Sequence, residues 1–172
     1  IWKDDKEKKK VYTYTDEIMV ILKKYFRVIV DKDEEHTPGW KFNEWELKGV
    51  PIRIEIGPKE VEREEIFVAR RDFRDKISFK KINMVENLQD LLRDIQQNLF
   101  DKALKFREEN TYDVESLEEF KKIIEEKRGF IKASWCGNGE CELKIKELTS
   151  ATIRNLPIDW KEEEGKCIFC GK

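Results

Sequence analysis

The stretch "TPGWKFNEWELKGVPIRIEIG" (37–57) combines a turn, a set of aromatic and charged residues, and an alternating apolar run. The alternating run is its second half, residues 50–57, in which isoleucines alternate with Arg53 and Glu55. Successive side chains of a strand point to opposite faces, so this period of two predicts a strand with one buried and one solvated face. We expect the strand to end at Gly57, which a proline follows.

The first half of the stretch places three large aromatic side chains among charges, directly after a Pro-Gly turn signal. We expect a loop here, in which Trp40 and Trp45 are core residues that hold the loop to the rest of the domain; stacking on unpaired bases is the alternative. Phe42 and Glu46 are then expected to face outward. An exposed ring beside a carboxylate is suited to stack on an unpaired base and to accept hydrogen bonds from guanine N–H groups.

Periodic apolar residues divide the remaining chain into helices and strands, and their alternation indicates the α/β class. The predicted helices cover 5–25, 84–109 and 116–128, and the predicted strands cover 26–31, 50–57, 65–71 and 129–135. The third helix is expected to begin at a capping box formed by Ser116 and Glu119 and to end at Gly129. A domain boundary is expected after the long helix, near residues 109–114.

Composition excludes some classes of protein. The chain has 172 residues, enough for one large or two small domains, and 42% of them are charged against 39% apolar. No run of 18 apolar residues occurs and the chain opens on no signal-peptide segment, so we expect no membrane span and a cytoplasmic location. The chain begins at Ile1 without an initiator methionine, so we expect a fragment of a longer protein.

Charge and motif content indicate binding rather than catalysis. The net charge is −2, but basic residues cluster in "RRDFRDKISFKK" (70–81), which could contact phosphates or could be a solvated loop. The single histidine, His36, lies in a polar loop without partners for nucleophilic catalysis. No Gly-rich phosphate-binding motif is present, so the residues reveal no catalytic centre.

All four cysteines lie near the C-terminus, in two short-spaced pairs: Cys136, Cys141, Cys167 and Cys170. Two such pairs can supply four thiolates to a tetrahedral zinc ion, and glycines beside them permit tight turns that aim N–H groups at the sulfurs. A closed set of four ligands predicts a structural zinc site. Two disulfides or a redox Cys-x-x-Cys pair are the alternatives.

Four segments together resemble a known family, the prolyl-tRNA synthetases of the archaeal and eukaryotic-like type. "TPGWKFNEWELKGVPIRIEIGPKE" (37–60) and "VARRDFRDK" (68–76) resemble the anticodon-binding domain of these enzymes. "CGNGECELKIKELTSATIRNLP" (136–157) and "EEGKCIFCGK" (163–172) resemble their zinc-binding C-terminal domain. The resemblance covers essentially the whole chain.

This resemblance implies a fold and a domain organisation. It implies an anticodon-binding domain over 1–109, with a mixed five-stranded sheet and flanking helices, followed by a small α/β zinc-binding domain over 110–172. The first strand is expected to be truncated and the last residues of the zinc domain to be missing. By the same resemblance, the full-length enzyme is a homodimer whose class II catalytic domain, outside this chain, uses ATP and magnesium to attach proline.

The resemblance also implies which residues contact tRNA(Pro), whose anticodon carries two adjacent guanines. The matching positions are Phe42, Glu46, Arg53, Lys59, Glu60 and Lys76. Phe42 would stack on a base, Glu46 would accept from guanine N–H groups, and Lys76 would donate to a guanine carbonyl oxygen. Arg53 would stack or contact phosphate. Arg74 stands where the family has a glycine or another small residue, a departure that would shift Lys76. The four cysteines match the family's zinc ligands.

Three functional hypotheses follow. The first is the tRNA-binding C-terminal portion of a proline–tRNA ligase. The second is a stand-alone, zinc-stabilised module that binds RNA or protein. The third is a thiol redox enzyme that uses Cys167 and Cys170, which a bound structural metal would exclude.

Overall fold

A computed structural model describes residues 3–73, 75–156, 158 and 165–172. The chain divides into two compact units, Ile1–Asp101 and Lys102–Lys172. One continuous helix runs across this division, so the boundary that we predict between residues 109 and 110 stays a prediction. The predicted truncated strand at Ile1 and the departure at Arg74 lie outside the described residues.

The first unit contains four helices and a three-stranded antiparallel sheet with the strand order β1-β2-β3. Its elements are α1 (Asp5–Leu22), α2 (Pro38–Leu47), β1 (Ile52–Glu55), α3 (Pro58–Arg63), β2 (Glu65–Arg70), β3 (Lys76–Lys80), a 3-10 turn (Lys81–Asn83) and α4 (Met84–Glu109). Helix α1 buries most of the apolar stripe that its periodicity predicts, whereas α4 buries only the first part of its stripe, since Leu99 is 47% and Phe106 64% exposed. The core that they form with the sheet includes Ile66 and Val68, both 0% exposed.

Strand register separates the sheet into an apolar and a polar face. Ile54, Val68 and Ile77 are cross-strand partners on the face that joins the core. Arg53, Ala69 and Lys76 form the neighbouring row, and side chains alternate, so this row lies on the opposite face. We call this opposite side the polar face; its central residues are Arg53, Glu55, Phe67, Ala69, Lys76 and Ser78.

The second unit is smaller and pairs two short parallel strands. Its elements are β4 (Thr111–Asp113), α5 (Leu117–Glu126), β5 (Phe130–Lys132) and α6 (Gly139–Thr149). The Ser116 hydroxyl caps α5 by accepting from the Glu119 backbone N–H at 3.2 Å, which is one of the two hydrogen bonds of the predicted capping box. After α5, Gly129 has φ +118, and a Cβ there would lie 2.5 Å from the Asn110 carbonyl oxygen, so the turn requires glycine.

The structure confirms the mixed α/β class but not the expected sheet. The five-stranded mixed sheet is wrong for the described residues, which form one antiparallel sheet of three strands and one parallel pair. Residues 26–31, predicted as a strand, have no strand partner in the described chain. Phe26 and Val28 still pack against the core, so the alternation predicted which side chains are buried and not a hydrogen-bonded ladder.

Residues 38–47, expected to be a loop, form helix α2. Pro38 occupies the start of the helix and the Thr37 hydroxyl accepts from the Trp40 N–H at 3.4 Å, so the Thr-Pro pair is a helix start. Trp40 is 49% exposed and stacks on His36 at 3.8 Å, which makes its predicted core position wrong. Trp45 is half-buried and its indole donates to Asp31 at 2.8 Å, which ties the helix to the preceding segment.

The remaining predicted elements are present with shifted ends. Helix α1 ends at Leu22 rather than residue 25, and β5 covers only part of the predicted 129–135 strand. The basic stretch 70–81, for which a solvated loop was one interpretation, contributes strand β3. None of the described helices combines the length and the apolar character that a membrane span requires.

Candidate functional site

Arg53 is the centre of a charged cluster on the polar face. Its Nη1 lies 2.9 Å from Glu46 Oε1 and its Nε lies 3.1 Å from Glu55 Oε1. Its guanidinium carbon lies 3.8 Å from the centroid of the Phe42 ring, in a cation–π contact. Arg53 therefore connects helix α2, which carries Phe42 and Glu46, to strand β1.

Lys76 joins the same cluster from strand β3. Its Nζ lies 3.3 Å from Glu55 Oε2 and 5.3 Å from the centroid of the Phe67 ring. Glu55 is therefore the shared partner of two cations from the two outer strands of the sheet. The site combines two aromatic rings, two carboxylates and two cations within one small surface.

Helix α2 is held in place by contacts with Asp31, which lies in the segment before the helix. Phe42 and Glu46 are four residues apart and therefore share one side of the helix. On another side, Trp45 and Lys41 both contact the Asp31 carboxylate, Lys41 at 3.1 Å. Burial raises the pKa of Asp31, but hydrogen bonds from the Trp45 indole and other groups outweigh this effect and lower the pKa below its usual value. Asp31 thus anchors α2 as a carboxylate.

A second ion-pair network fixes the turn that leads into Lys76. Arg70 Nε and Nη2 lie 2.9 and 2.7 Å from the two oxygens of Asp72, a bidentate pair. Asp94 on α4 pairs with Arg70 Nη1 at 2.6 Å, and Asn98 on α4 donates to Asp72 at 2.6 Å. The Asp72 side chain is only 1% exposed. Hydrogen bonds from Arg70 hold the pKa of Asp72 well below its usual range despite burial, so Asp72 is ionised at neutral pH. We call the Arg70–Asp72 pair, with Asp94 and Asn98, the clamp.

The four cysteines of the second unit form one cluster. Their sulfur atoms all lie within 4.8 Å of one another, and the set could hold a metal ion. Cys136 and Cys141 are 3.6 Å apart and Cys136 and Cys170 are 3.8 Å apart, so neither pair is bonded as a disulfide. Four sulfurs about 2.3 Å from a zinc ion in a tetrahedron lie about 3.8 Å from one another, which these separations match.

Two tight turns present these cysteines. Gly137 has φ +79, and the Asn138 side chain that follows caps α6 by accepting from the Glu140 N–H at 2.8 Å. Cys141 therefore sits in the first turn of α6. The second turn is fixed by the Ile168 backbone N–H, which donates to the Ser134 carbonyl at 2.9 Å.

The four sulfur atoms are so close together that their ionised forms would repel one another unless a cation were bound between them. Burial, together with the neighbouring sulfurs of Cys136 and Cys170, raises the pKa of the Cys141 thiol to about 12. Burial also raises the pKa of Cys167, but backbone N–H groups outweigh it and lower the value to about 6. Four thiolates at this spacing repel one another, so the donor set fits a divalent thiophilic metal ion.

Comparison with known protein families shows which family the chain belongs to. Residues 3–91, more than half of the chain, match the anticodon binding domain. The chain belongs to the anticodon-binding domain family. Residues 117–172 match a second family, described as prolyl-tRNA synthetase, C-terminal. The two matches cover the unit with the Arg53 cluster and the segment with all four cysteines.

Curated relatives of this chain are named proline–tRNA ligases. The protein from Natranaerobius thermophilus is 49% identical over 166 residues, which are 96% of this chain and 34% of the relative. That from Flavobacterium psychrophilum is 47% identical over 173 residues, 100% of this chain and 35% of the relative. The chain thus spans about a third of the length of these curated relatives.

A solved structure shows the same architecture. The crystal structure of prolyl-tRNA synthetase from Cryptosporidium parvum, complexed with L-proline and AMP, superposes with a TM-score of 0.80 at 32% sequence identity. The match covers 95% of this chain and 35% of that chain. Both kinds of comparison therefore relate the chain to one portion of longer prolyl-tRNA synthetases.

Of the six residues predicted to contact an anticodon, the fold gathers four. Phe42 and Glu46 contact Arg53, and Lys76 joins them through Glu55. Lys59 and Glu60 lie at the start of α3, and no hydrogen bond or ion pair among the described residues connects either to this group. Glu60 Oε2 instead accepts from the Gly57 backbone N–H at 2.9 Å and so caps α3.

Sequence reasoning missed Glu55, whereas Arg71 already belonged to the basic stretch 70–81 that could contact phosphates. Glu55 lies two residues from Arg53 on the same strand face, a signal that the alternation of β1 contained. Arg71 lines a shallow cleft beside the cluster. The cleft is lined by Trp45, Glu46, Val50, Pro51, Arg53, Ala69, Arg70 and Arg71. An anticodon-binding surface that includes this cleft would add one more exposed cation for phosphate contacts.

Proposed function

We propose that this chain is the tRNA-binding C-terminal portion of a proline–tRNA ligase and that its first unit reads the anticodon of tRNA(Pro). The observation that carries the proposal is the cluster of Phe42, Glu46, Arg53 and Lys76 on the polar face. It supplies a stacking ring, an acceptor and donors within one surface, the combination with which proteins recognise unpaired bases. That the tRNA is the one specific for proline is inferred from the names of the relatives, which are proline–tRNA ligases.

The proposed roles follow from the chemistry of guanine. Its Watson–Crick edge presents N–H donors beside a carbonyl acceptor, so Glu46 accepts from the donors and Lys76 donates to the carbonyl. The Glu46 side chain is 50% exposed and the Lys76 side chain 44% exposed, so both are open to a ligand. Phe42 stacks on a base, while Arg53, already stacked on Phe42, contacts a base or phosphate.

Lys59 and Glu60 complete the proposed surface, in a lesser role. Lys59 is exposed at the second position of α3, where it is available to a phosphate. The capping bond of Glu60 leaves its other oxygen available to a base or ribose. Since no described contact connects them to the Arg53 cluster, we assign them to a neighbouring nucleotide rather than to the guanine that Glu46 reads.

Binding to altered tRNA tests the proposal directly. We expect the 172-residue chain to bind a tRNA(Pro) transcript about 5- to 150-fold more tightly than transcripts in which either anticodon guanine is changed to adenine. Fluorescence titration at fixed salt measures both affinities. Equal affinity for all three transcripts would contradict the proposal and would favour a module that binds RNA without reading its sequence.

We also propose that Cys136, Cys141, Cys167 and Cys170 hold a structural zinc ion. The spacing of the sulfurs and the mutual repulsion of their thiolates support this assignment. Four cysteine ligands fill a tetrahedral site, so the ion would stabilise the second unit and take no part in catalysis. One zinc ion per chain by elemental analysis is the expected result, and its absence from protein purified without chelator would contradict it.

The wider context is proposed from the relatives' names and from the family resemblance described above. The full-length protein attaches proline to its tRNA with ATP and magnesium, as a cytoplasmic homodimer with a class II catalytic domain outside this chain. Within the chain, we propose domains over residues 1–109 and 110–172. Sequencing the coding region upstream of this segment tests the proposal, because the alternative of a stand-alone RNA- or protein-binding module requires that no ligase domain precede it.

A further inference from the structure

Glu55 holds two cations that arrive from opposite edges of the sheet. Its Oε1 lies 3.1 Å from both Nε and Nη2 of Arg53 on β1, and its oxygens lie 3.3 Å from Nζ of Lys76 on β3. The Glu55 side chain is 24% exposed, less than half the exposure of Glu46. Glu55 is thus the partly buried anion at the centre of the cluster, and Glu46 is the open one.

The sheet register explains why one carboxylate can reach both cations. Arg53 and Lys76 are each opposite Ala69 on the central strand, so only a methyl group stands between them. Glu55 is in the next row, opposite Phe67, over whose ring the Lys76 ammonium lies. Without the Glu55 charge, two like charges would face each other across a small residue and repel.

Arg53 contacts two carboxylates, Glu55 and Glu46. How its N–H groups are shared between them determines how many acceptor sites of Glu46 remain open to a ligand. Nε and Nη2 of Arg53 contact Glu55, and only Nη1 contacts Glu46. If Glu55 were uncharged, the strongest remaining partner for the guanidinium would be Glu46. Arg53 would then compete with a ligand for the acceptor oxygens of Glu46.

We propose that Glu55 is a positioning residue for base discrimination: it retains Arg53 and Lys76 over the sheet so that Glu46 stays available to guanine N–H groups. The inference rests on the proposed anticodon function and adds to it a residue that does not itself contact the base. Preorganised donors and acceptors lose less conformational freedom on binding, so discrimination depends on Glu55 more than total affinity does.

The test compares Glu55→Gln with Glu65→Gln. Glu65 forms the matched pair, since its carboxylate lies 2.9 Å from Lys80 in a directly opposite position on the same sheet and is 20% exposed. Both variants lose one negative charge, so both should bind phosphate equally or somewhat better. The measured quantity is the ratio of affinities for tRNA(Pro) and for the transcript with one anticodon guanine changed to adenine.

We expect this ratio to fall at least about fivefold in Glu55→Gln and to stay at the parent value in Glu65→Gln, while neither loses affinity for the altered transcript. A folding defect would instead lower both affinities together. If Glu55→Gln fails to fold, Glu55→Asp serves, because the shorter side chain keeps the charge but cannot keep both contacts and should also lose discrimination.

Two outcomes separate the inference from the function on which it rests. A parent chain that discriminates, together with a Glu55→Gln variant that keeps the parent ratio, overturns the role of Glu55 and leaves anticodon reading intact. A parent chain that binds both transcripts alike overturns both. An equal loss of discrimination in Glu55→Gln and Glu65→Gln also overturns the specific role, because it would reflect surface charge alone.

Discussion

At the scale of single residues, Glu46 combines a structural contact with an open acceptor. One of its oxygens accepts from Arg53 at 2.9 Å, while the side chain as a whole is 50% exposed. A carboxylate has about four lone-pair sites, so several remain for a ligand. Guanine offers N–H donors to these sites, whereas adenine would turn its ring-nitrogen acceptor toward the carboxylate. The same side chain can therefore favour guanine and reject adenine.

Glu46→Ala should lose this discrimination. We expect the preference of the chain for tRNA(Pro) over the transcript with one guanine changed to adenine to fall by about 5- to 150-fold, the worth of one base-edge contact. The titration described above measures it. Glu44→Ala is the control, since Glu44 lies on the same helix but pairs with Lys48 at 2.8 Å. A Glu46→Ala variant with the parent ratio would remove Glu46 from the site.

Phe42→Ala in the same titration separates stacking from edge reading. Its ring supports the Arg53 guanidinium at 3.8 Å, and in the proposed role it stacks on a base of any identity. The variant should therefore weaken binding to both transcripts with less change in their ratio. A larger loss of discrimination than of affinity would instead show that Phe42 acts mainly by holding Arg53 in place.

At the scale of elements, the turn between β2 and β3 is held by the Arg70–Asp72 pair and by α4. Asp94 and Asn98 attach the pair to the helix that forms the core of the unit. The pair precedes Lys76 in the chain, so we expect the network to influence the position of the Lys76 ammonium. This contrasts with the solvated loop that we considered for the basic stretch 70–81.

Asp72→Ala should destabilise the chain by about 3 kcal/mol, the lower end of what breaking a buried ion pair costs, because Asp94 still neutralises Arg70. Urea unfolding followed by circular dichroism measures the change in the free energy of unfolding. Asp90→Ala is the matched control on α4, because the Asp90 side chain is 58% exposed and its pair with Arg93 is a surface contact worth about 0–1 kcal/mol. Equal effects of the two substitutions would contradict a structural clamp.

The same clamp has a defined pH dependence. The folded-state pKa of Asp72 lies below its ordinary value of 3.8, so the ionised side chain stabilises the fold above that pH. As the pH falls below about 4, the unfolded chain takes up the proton first and this stabilisation is progressively lost. The difference in unfolding free energy between the parent and Asp72→Asn should therefore be largest near neutral pH and shrink in acid.

Local patterns predicted the elements whose determinants are local. The alternation of residues 52–56 predicted β1 and its partly buried isoleucines, and Ser116 predicted the start of α5. The Thr-Pro pair at 37–38 was a helix start that we interpreted as a turn, because proline is common in both places. The alternation in residues 26–31 predicted burial correctly, but a strand also needs a neighbouring strand, which no local pattern can supply.

The candidate site shows the same limit. The cysteine spacing predicted the cluster of four sulfurs, since two short-spaced pairs bring their own ligands together. The charged cluster depends on which strands pair and in what register, so the link from Arg53 through Glu55 to Lys76 became visible only with the sheet. The family resemblance predicted the residues that would contact the anticodon, but it did not predict Glu55, which contacts Arg53 and Lys76.

At the scale of the whole molecule, each unit has a core of its own, and the two cores differ in size. Among the described residues, the first unit buries nine in one cluster, whereas the cluster of the second consists of Val114, Phe120, Ile123 and Ile145. So small a core rarely supplies enough stability alone, and a structural metal is a common supplement in small domains. The stability of the second unit should therefore depend on the metal, and that of the first should not.

Removing the metal tests this difference. We expect a chelator to unfold the second unit and to leave the first folded, because binding of a structural zinc ion is coupled to folding. Limited proteolysis with mass spectrometry measures it: cleavage should appear within residues 110–172 and remain absent from the β1–β3 sheet. Cys167→Ala without chelator should give the same cleavage pattern, and chelator should change it no further. A second unit that resists protease in chelator would contradict the structural role of the metal, and cleavage throughout the chain would contradict the independence of the two units.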